Sequence, residues 1–166
     1  MAKVTLVMGH ISMLDEWLSD GRKCLVLDHL QDPHNVGACI RTSLAFGVDV
    51  IVIARHGACD ITPAVAKVAA GAIGRVDIVE ANISQAISRI KELGIWVMAT
   101  CERAEHDLDE TDIPSRVAWV VGNEEKGVSH QVKKVCDQLV RINTAPKFPS
   151  LNVSVATGIL LYRSGR

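Results

Sequence analysis

Aromatic residues are scarce in this chain of 166 residues, at 4% of the total. Aliphatic side chains must therefore fill the core, and no aromatic stripe is present on which bases could stack. Excess charge is missing too: the formal net charge of −1 argues against a general polyanion binder. No apolar run reaches the roughly 20 residues a membrane helix needs. Lys3 is followed by a short apolar stretch and then by His10, Asp15 and Glu16, unlike a signal peptide. The five cysteines are odd in number and widely spaced, with no CxxC pair and no Cys/His cluster at zinc spacing. Reduced thiols, no metal and a cytoplasmic protein are expected. A catalytic thiol at Cys101 is weaker than its reading as a small residue at a strand end. Neither GxGxxG nor Gly-Lys-Ser/Thr occurs, so neither the usual dinucleotide fold nor a triphosphate loop is indicated.

What is present is ordinary for a globular protein: 48% hydrophobic and 22% charged residues. The length fits one domain, 1–166, and buries about two-thirds of the unfolded surface. Charge is uneven. Eight acids stand against two bases between Glu102 and Glu125, and seven bases against one acid from Lys126 to Arg166. This gives only weak support for a basic RNA-facing surface, because charge runs are more often solvated faces.

Strand and helix patterns alternate. Val4–Met8, Cys24–Leu27, Val48–Ala54, Val76–Val79, Ile95–Ala99, Val117–Val121 and Leu139–Ile142 read as strands. Met13–Leu18, Val36–Phe46, Pro63–Ala72, a segment capped by Ser84 and closed by Gly94, Val128–Cys136 and Asn152–Tyr162 read as helices. The acidic stretch after Ala99 reads as a loop. This order predicts an α/β fold, a parallel sheet with helices on both faces. Ligands in such sheets sit outside the carboxyl ends of the strands.

Three polar segments fall at those ends. In Asp32-Pro33-His34-Asn35-Val36-Gly37, Asn35 suits a helix N-cap and Gly37 a close backbone approach. Arg41 follows, a planar fork of donors for phosphate or ribose. A cap with a surface arginine is the plainer reading. Gly122-Asn123-Glu124-Glu125-Lys126-Gly127 follows a hydrophobic strand, and could be a ligand turn or simply a polar connection. Ser150-Leu151-Asn152 ends an eleven-residue connector stiffened by Pro146 and Pro149. It is either a helix cap or, given the connector's length, part of a site. Trp17, Trp96 and Trp119 read as packing residues, and His34 as a hydrogen-bonding loop histidine.

Taken together, these segments resemble the SpoU (TrmH-type) branch of the SPOUT RNA methyltransferases. The match runs from about Leu25 to Tyr162. It rests on Asp32 to Thr42 with Ala45-Phe46-Gly47, on Val120 to Glu124 with Gly127, and on Ile142 with Ser150 to Ala156. The motif wording, with Lys67 to Ala72, is most similar to the ribosomal-RNA guanosine members. The resemblance implies S-adenosylmethionine-dependent methylation of a ribose 2′-hydroxyl, with rRNA favoured over tRNA. It also implies a C-terminal trefoil knot and a homodimer with sites completed across the interface. Carried over, Arg41, Asn35, Glu124, Ser150 and Asn152 are catalytic, and Thr100, Gly122, Ile142 and Leu151 bind the donor. Val155, Ile159 and Leu160 are expected to face the partner chain. The pattern is broken after Ile142, where Asn143-Thr144-Ala145-Pro146 replaces the usual proline, methionine, any residue, glycine. Residues 1–23 are expected to be a short extension, which leaves substrate selection to the dimer, the ends or a partner protein. The alternative is a catalytically silent RNA- or nucleotide-binding module of the same fold.

Overall fold

The computed structural model describes residues 8–165. The elements are β1 (Met8–Gly9), α1 (Met13–Ser19), β2 (Lys23–Asp28), α2 (Pro33–Ala45), β3 (Val48–Ala54), α3 (Pro63–Val68), β4 (Asp77–Ala81), α4 (Ile83–Glu92), β5 (Trp96–Thr100), β6 (His106–Asp107), β7 (Val117–Gly122), α5 (His130–Val135), β8 (Gln138–Arg141) and α6 (Val153–Ser164), with a 3₁₀ turn at Leu108–Glu110. The strands form one sheet in the order β1-β4-β3-β2-β7-β5-β8-β6, and every neighbouring pair is parallel. The expected α/β architecture is therefore present.

Alternation along the strands sorts the core into two layers. Leu25, Leu27, Ile51, Ile53, Met98 and Trp119 face α2, α3 and α6. Cys24, Val26, Val50, Val52, Ala99, Ala118 and Val120 face α1, α4 and α5. The first face of the sheet is bulky and the second is small. α2 buries Val36, Cys39 and Ile40 on the bulky face, and α1 and α4 bury Leu14, Leu18, Ile83, Ile87 and Ile90 on the small one.

Several local expectations are corrected. α2 begins at Pro33, with Asp32 as its N-cap accepting from the His34 amide, so Asn35 lies inside the first turn. A proline at the first helical position loses no bond that the helix would have made. Asn82, not Ser84, caps α4. The α3 helix stops at Val68, where Ala69 begins a glycine turn, and α5 covers only His130–Val135. The acidic stretch is not all loop: β6 pairs with β8, and Arg141 binds Asp107 across that pair. Trp96 is largely exposed, whereas Trp119 is buried and donates its indole N–H to Ser164. Of the strand expected at Val4–Met8, residues 4–7 lie outside the described residues. Residues 8–22, expected as an extension, add β1 at the sheet edge beside β4 and bury Leu14 and Leu18 completely. Among the described residues no helix is long and apolar enough to cross a membrane.

Candidate methyl-donor and ribose site

The order of strands brings the first two polar segments side by side. β2 pairs directly with β7, placing Asp28 opposite Gly122, so the loops after both strands leave the sheet together. Glu124 reaches across to the first loop. Its carboxylate accepts from the Asp32 amide at 3.2 Å, from the Gln31 amide at 3.4 Å and from Asn35 Nδ2 at 3.4 Å. Asn123 supports the same junction, donating to the His29 carbonyl at 2.9 Å.

The third segment joins through helix packing. α6 lies beside α2 along its length: Asn152 meets Asn35 at the amino ends, Thr157 meets Cys39, Gly158 lies by Thr42, and Tyr162 stacks edge-on against Phe46 at 6.3 Å. The amino ends of both helices therefore open at the same place. Asn152 caps α6, accepting from the Ser154 amide and hydroxyl at 2.9 and 2.6 Å. With its oxygen occupied by the helix, Asn152 turns its Nδ2 to Asn35 Oδ1 at 2.9 Å. Asn35 in turn presents Nδ2 to the carboxylates of Glu124 and Asp32. The direction of each amide is thus fixed by its neighbour, from a helix terminus to a carboxylate. Asn35 is 6% exposed, a polar group whose burial is tolerated because it is paired.

A cavity of about 620 Å³ opens at this rim. Asn35, Thr100, Gly122, Glu124, Ile142, Ser150, Leu151 and Asn152 all line it. Arg41 does not. It is exposed on α2 and stands outside the cavity of its own chain. The sequence reading missed Glu102, Arg103 and Lys133, which also line the cavity, as do Cys101, read as a small strand-end residue, and Asn123 of the polar turn. Glu102 and Arg103 follow closely on β5, and their position at a strand's carboxyl end was the available signal. It also missed Asp28, a buried carboxylate at the end of β2 that accepts from His29 Nδ1 at 2.6 Å and from the Ser129 amide at 2.7 Å.

Both motif glycines make room for the chain itself, not for a ligand. A Cβ on Gly122 would lie 2.0 Å from the Val128 nitrogen, where the 123–127 turn folds back through paired Asn123 and Gly127 backbones at 2.9 and 3.1 Å. A Cβ on Gly37 would meet the Val65 carbonyl of α3 at 2.7 Å. The exposed apolar side chains of α6 are Val155, Ile159 and Tyr162, one stripe along the helix. Leu160, expected on that stripe, is fully buried in the core instead, because it lies on the opposite side of the helix. The five cysteines are free, and burial pushes the Cys24, Cys39 and Cys136 thiols up to about 12, 11 and 12. Among the described residues no three His, Cys, Asp or Glu side chains cluster as a metal site.

Known proteins are similar to this chain in sequence and fold. A 23S rRNA (guanosine-2'-O-)-methyltransferase RlmB from Nitrosomonas europaea is 36% identical over 99% of this chain and 65% of its own length. The protein of the same name from Pseudomonas syringae pv. tomato is 39% identical over 93% of this chain and 64% of its own. The chain thus spans under two-thirds of the length of these relatives. The crystal structure of an AdoMet-bound rRNA methyltransferase from Sinorhizobium meliloti superimposes with a TM-score of 0.80 at 29% identity, covering 87% of this chain and 56% of that one. The SpoU rRNA Methylase family matches residues 22–162, which takes in every segment of the site, and the chain belongs to that family.

Proposed function

We propose that this chain transfers a methyl group from S-adenosylmethionine to a ribose 2′-hydroxyl of structured RNA, a guanosine of ribosomal RNA in preference to a tRNA position. The hydrogen-bond chain Glu124–Asn35–Asn152 at the mouth of the 620 Å³ cavity carries this reading. The activity named for the relatives supports it. We read residues 1–166 as one methyltransferase domain, with 1–23 as a short extension, in a cytoplasmic protein. The strand order supports a C-terminal trefoil knot: β8 lies between β5 and β6, and the chain then returns to set α6 against α2.

The lining suits the donor. Its volume is that of pockets for ligands of such size. Backbone at Gly122, Ile142 and Leu151 can meet a purine edge, while the Thr100 hydroxyl and the Glu102 carboxylate can meet sugar hydroxyls and an ammonium. S-adenosylmethionine, when bound, supplies a methyl carbon on positive sulfur, open to in-line attack. The Glu124–Asn35–Asn152 chain keeps the rim rigid, so positioning carries much of the rate. Ser150 and Asn152 offer hydrogen bonds to the ribose. Arg41 holds an RNA phosphate and stabilises charge developing on the ribose oxygen. A guanidinium keeps its proton in proteins, so the ribose proton leaves to water. Arg41 acts across a homodimer in this reading. It projects from the layer whose α6 exposes Val155, Ile159 and Tyr162, and a two-fold pairing there would bring it to the partner's cavity.

Calorimetric titration with S-adenosylmethionine, followed by tritium transfer to bulk RNA, tests the reading, and mass spectrometry of the RNA maps the methylated nucleotide. Donor binding with no transfer would favour a silent RNA-binding module.

A further inference from the structure

Resting on the methyl-transfer reading above, we propose that Phe148 is the platform on which a nucleobase of the acceptor RNA stacks, making it a substrate-selecting residue. It is 77% exposed, the most exposed large hydrophobic side chain described, so core packing does not explain it. The connector holds it out stiffly. The Phe148 amide donates to the Ala145 carbonyl at 2.9 Å, and the Thr144 hydroxyl donates to the Pro149 carbonyl at 3.1 Å. Pro146 and Pro149 fix the backbone on either side. The next residues, Pro149 to Asn152, line the cavity, so the turn that carries the ring adjoins the cavity's rim. Lys147 is adjacent and exposed, and the cavity beyond carries Arg103, Lys126 and Lys133 among the carboxylates of Glu102, Glu124 and Glu125. An aromatic face next to a lysine suits unpaired RNA, whose bases splay out to stack while its phosphates pair with the charge. The connectivity of a nucleotide suits this placement. The base hangs from C1′, bonded to the carbon that carries the reacting hydroxyl, so a ribose engaged at the cavity leaves its base at the edge.

The test uses Phe148→Ala and Phe148→Trp in the full chain. For transfer to bulk ribosomal RNA lacking ribose methylation, Phe148→Ala should raise the KM for RNA about tenfold, with donor affinity by calorimetry and oligomeric state by light scattering unchanged. Phe148→Trp should restore KM. Its added fluorescence, relative to wild type, should be quenched by a short single-stranded RNA oligonucleotide and not by its abasic counterpart. Loss of donor affinity in Phe148→Ala would make the ring a lid over the donor, and loss of the dimer would make it a subunit contact. Either result overturns the proposal, as does quenching that ignores the bases. The fluorescence needs neither donor nor turnover, so the two readings fail separately. If methyl transfer is wrong, tritium transfer is absent while base-dependent quenching remains. If only this proposal is wrong, transfer is intact and base-dependent quenching is absent.

Discussion

The two helical layers cover one sheet by different physics. On the small face of the sheet, α4 buries Ile83, Ile87 and Ile90, packs on α1, and turns charge outward, with Arg89 bound to Asp15 and Glu92. On the bulky face, α2 and α6 meet through small and polar side chains: Cys39, Thr157, Gly158 and the Asn35–Asn152 pair. α6 also leaves Val155, Ile159 and Tyr162 in solvent, although a helix apolar on most sides is normally covered. The first layer is self-sufficient. The second borders the cavity and leaves an apolar stripe exposed, so the candidate site lies with the layer that packs less conventionally.

Substitutions can break or sharpen this contrast. The largest effect is expected from Gly122→Ala, because its Cβ would overlap the backbone of Gly127 and Val128. The turn that positions Glu124 would be lost, at a cost of about 4 kcal/mol, read as a collapse of the urea midpoint. Arg41→Ala should come next in activity, lowering transfer by about a hundredfold or more while calorimetric donor affinity stays close to wild type. A large loss of donor binding would remove its assigned role.

Asn35→Ala should lower both stability and transfer. It leaves Asn152 and Glu124 without their shared partner, at about 1–3 kcal/mol, measurable by denaturant titration. Ile159→Asp should leave the monomer folded and shift sedimentation towards monomer, whereas a charge at Leu160 should unfold the chain. Equal behaviour of the two variants would erase the distinction between the stripe and the core.

Smaller effects belong to charge pairs. The Arg141 guanidinium holds the Asp107 carboxyl below its usual range, chiefly by hydrogen bonding. A carboxyl with a depressed folded value stabilises the fold above its unfolded value, and that contribution disappears as pH falls through the folded one. Acid titration of Asp107→Asn should therefore show a shallower loss of stability than wild type. Arg89→Ala should barely move the melting temperature, since its partners are exposed and screened.

The sequence singled out Asn35, Glu124 and Asn152 one by one, but not Glu102, Arg103 or Lys133 and not their assembly. Glu124 and Asp32 lie 92 residues apart, and Asn35 and Asn152 lie 117 apart, distances no local pattern spans. Cap positions slipped for a simple reason: in Asp32-Pro33-His34-Asn35 two residues qualify as caps, and the proline settles the choice by favouring the first helical position. The reading of Gly37 and Gly122 identified close approaches correctly but not what approaches, because a missing Cβ does not name its neighbour.

By itself, the amino-acid order determined an alternating α/β chain with polar turns at three strand ends, because periodicity and turn chemistry act over a few residues. Tertiary structure alone decided that β7 enters beside β2 and that α6 lies along α2. Parallel strands buried on both faces look alike to every possible neighbour, so the pairing of β2 with β7 and the packing of α6 on α2, not any strand's own pattern, are what join Glu124, Asn35 and Asn152 in one place.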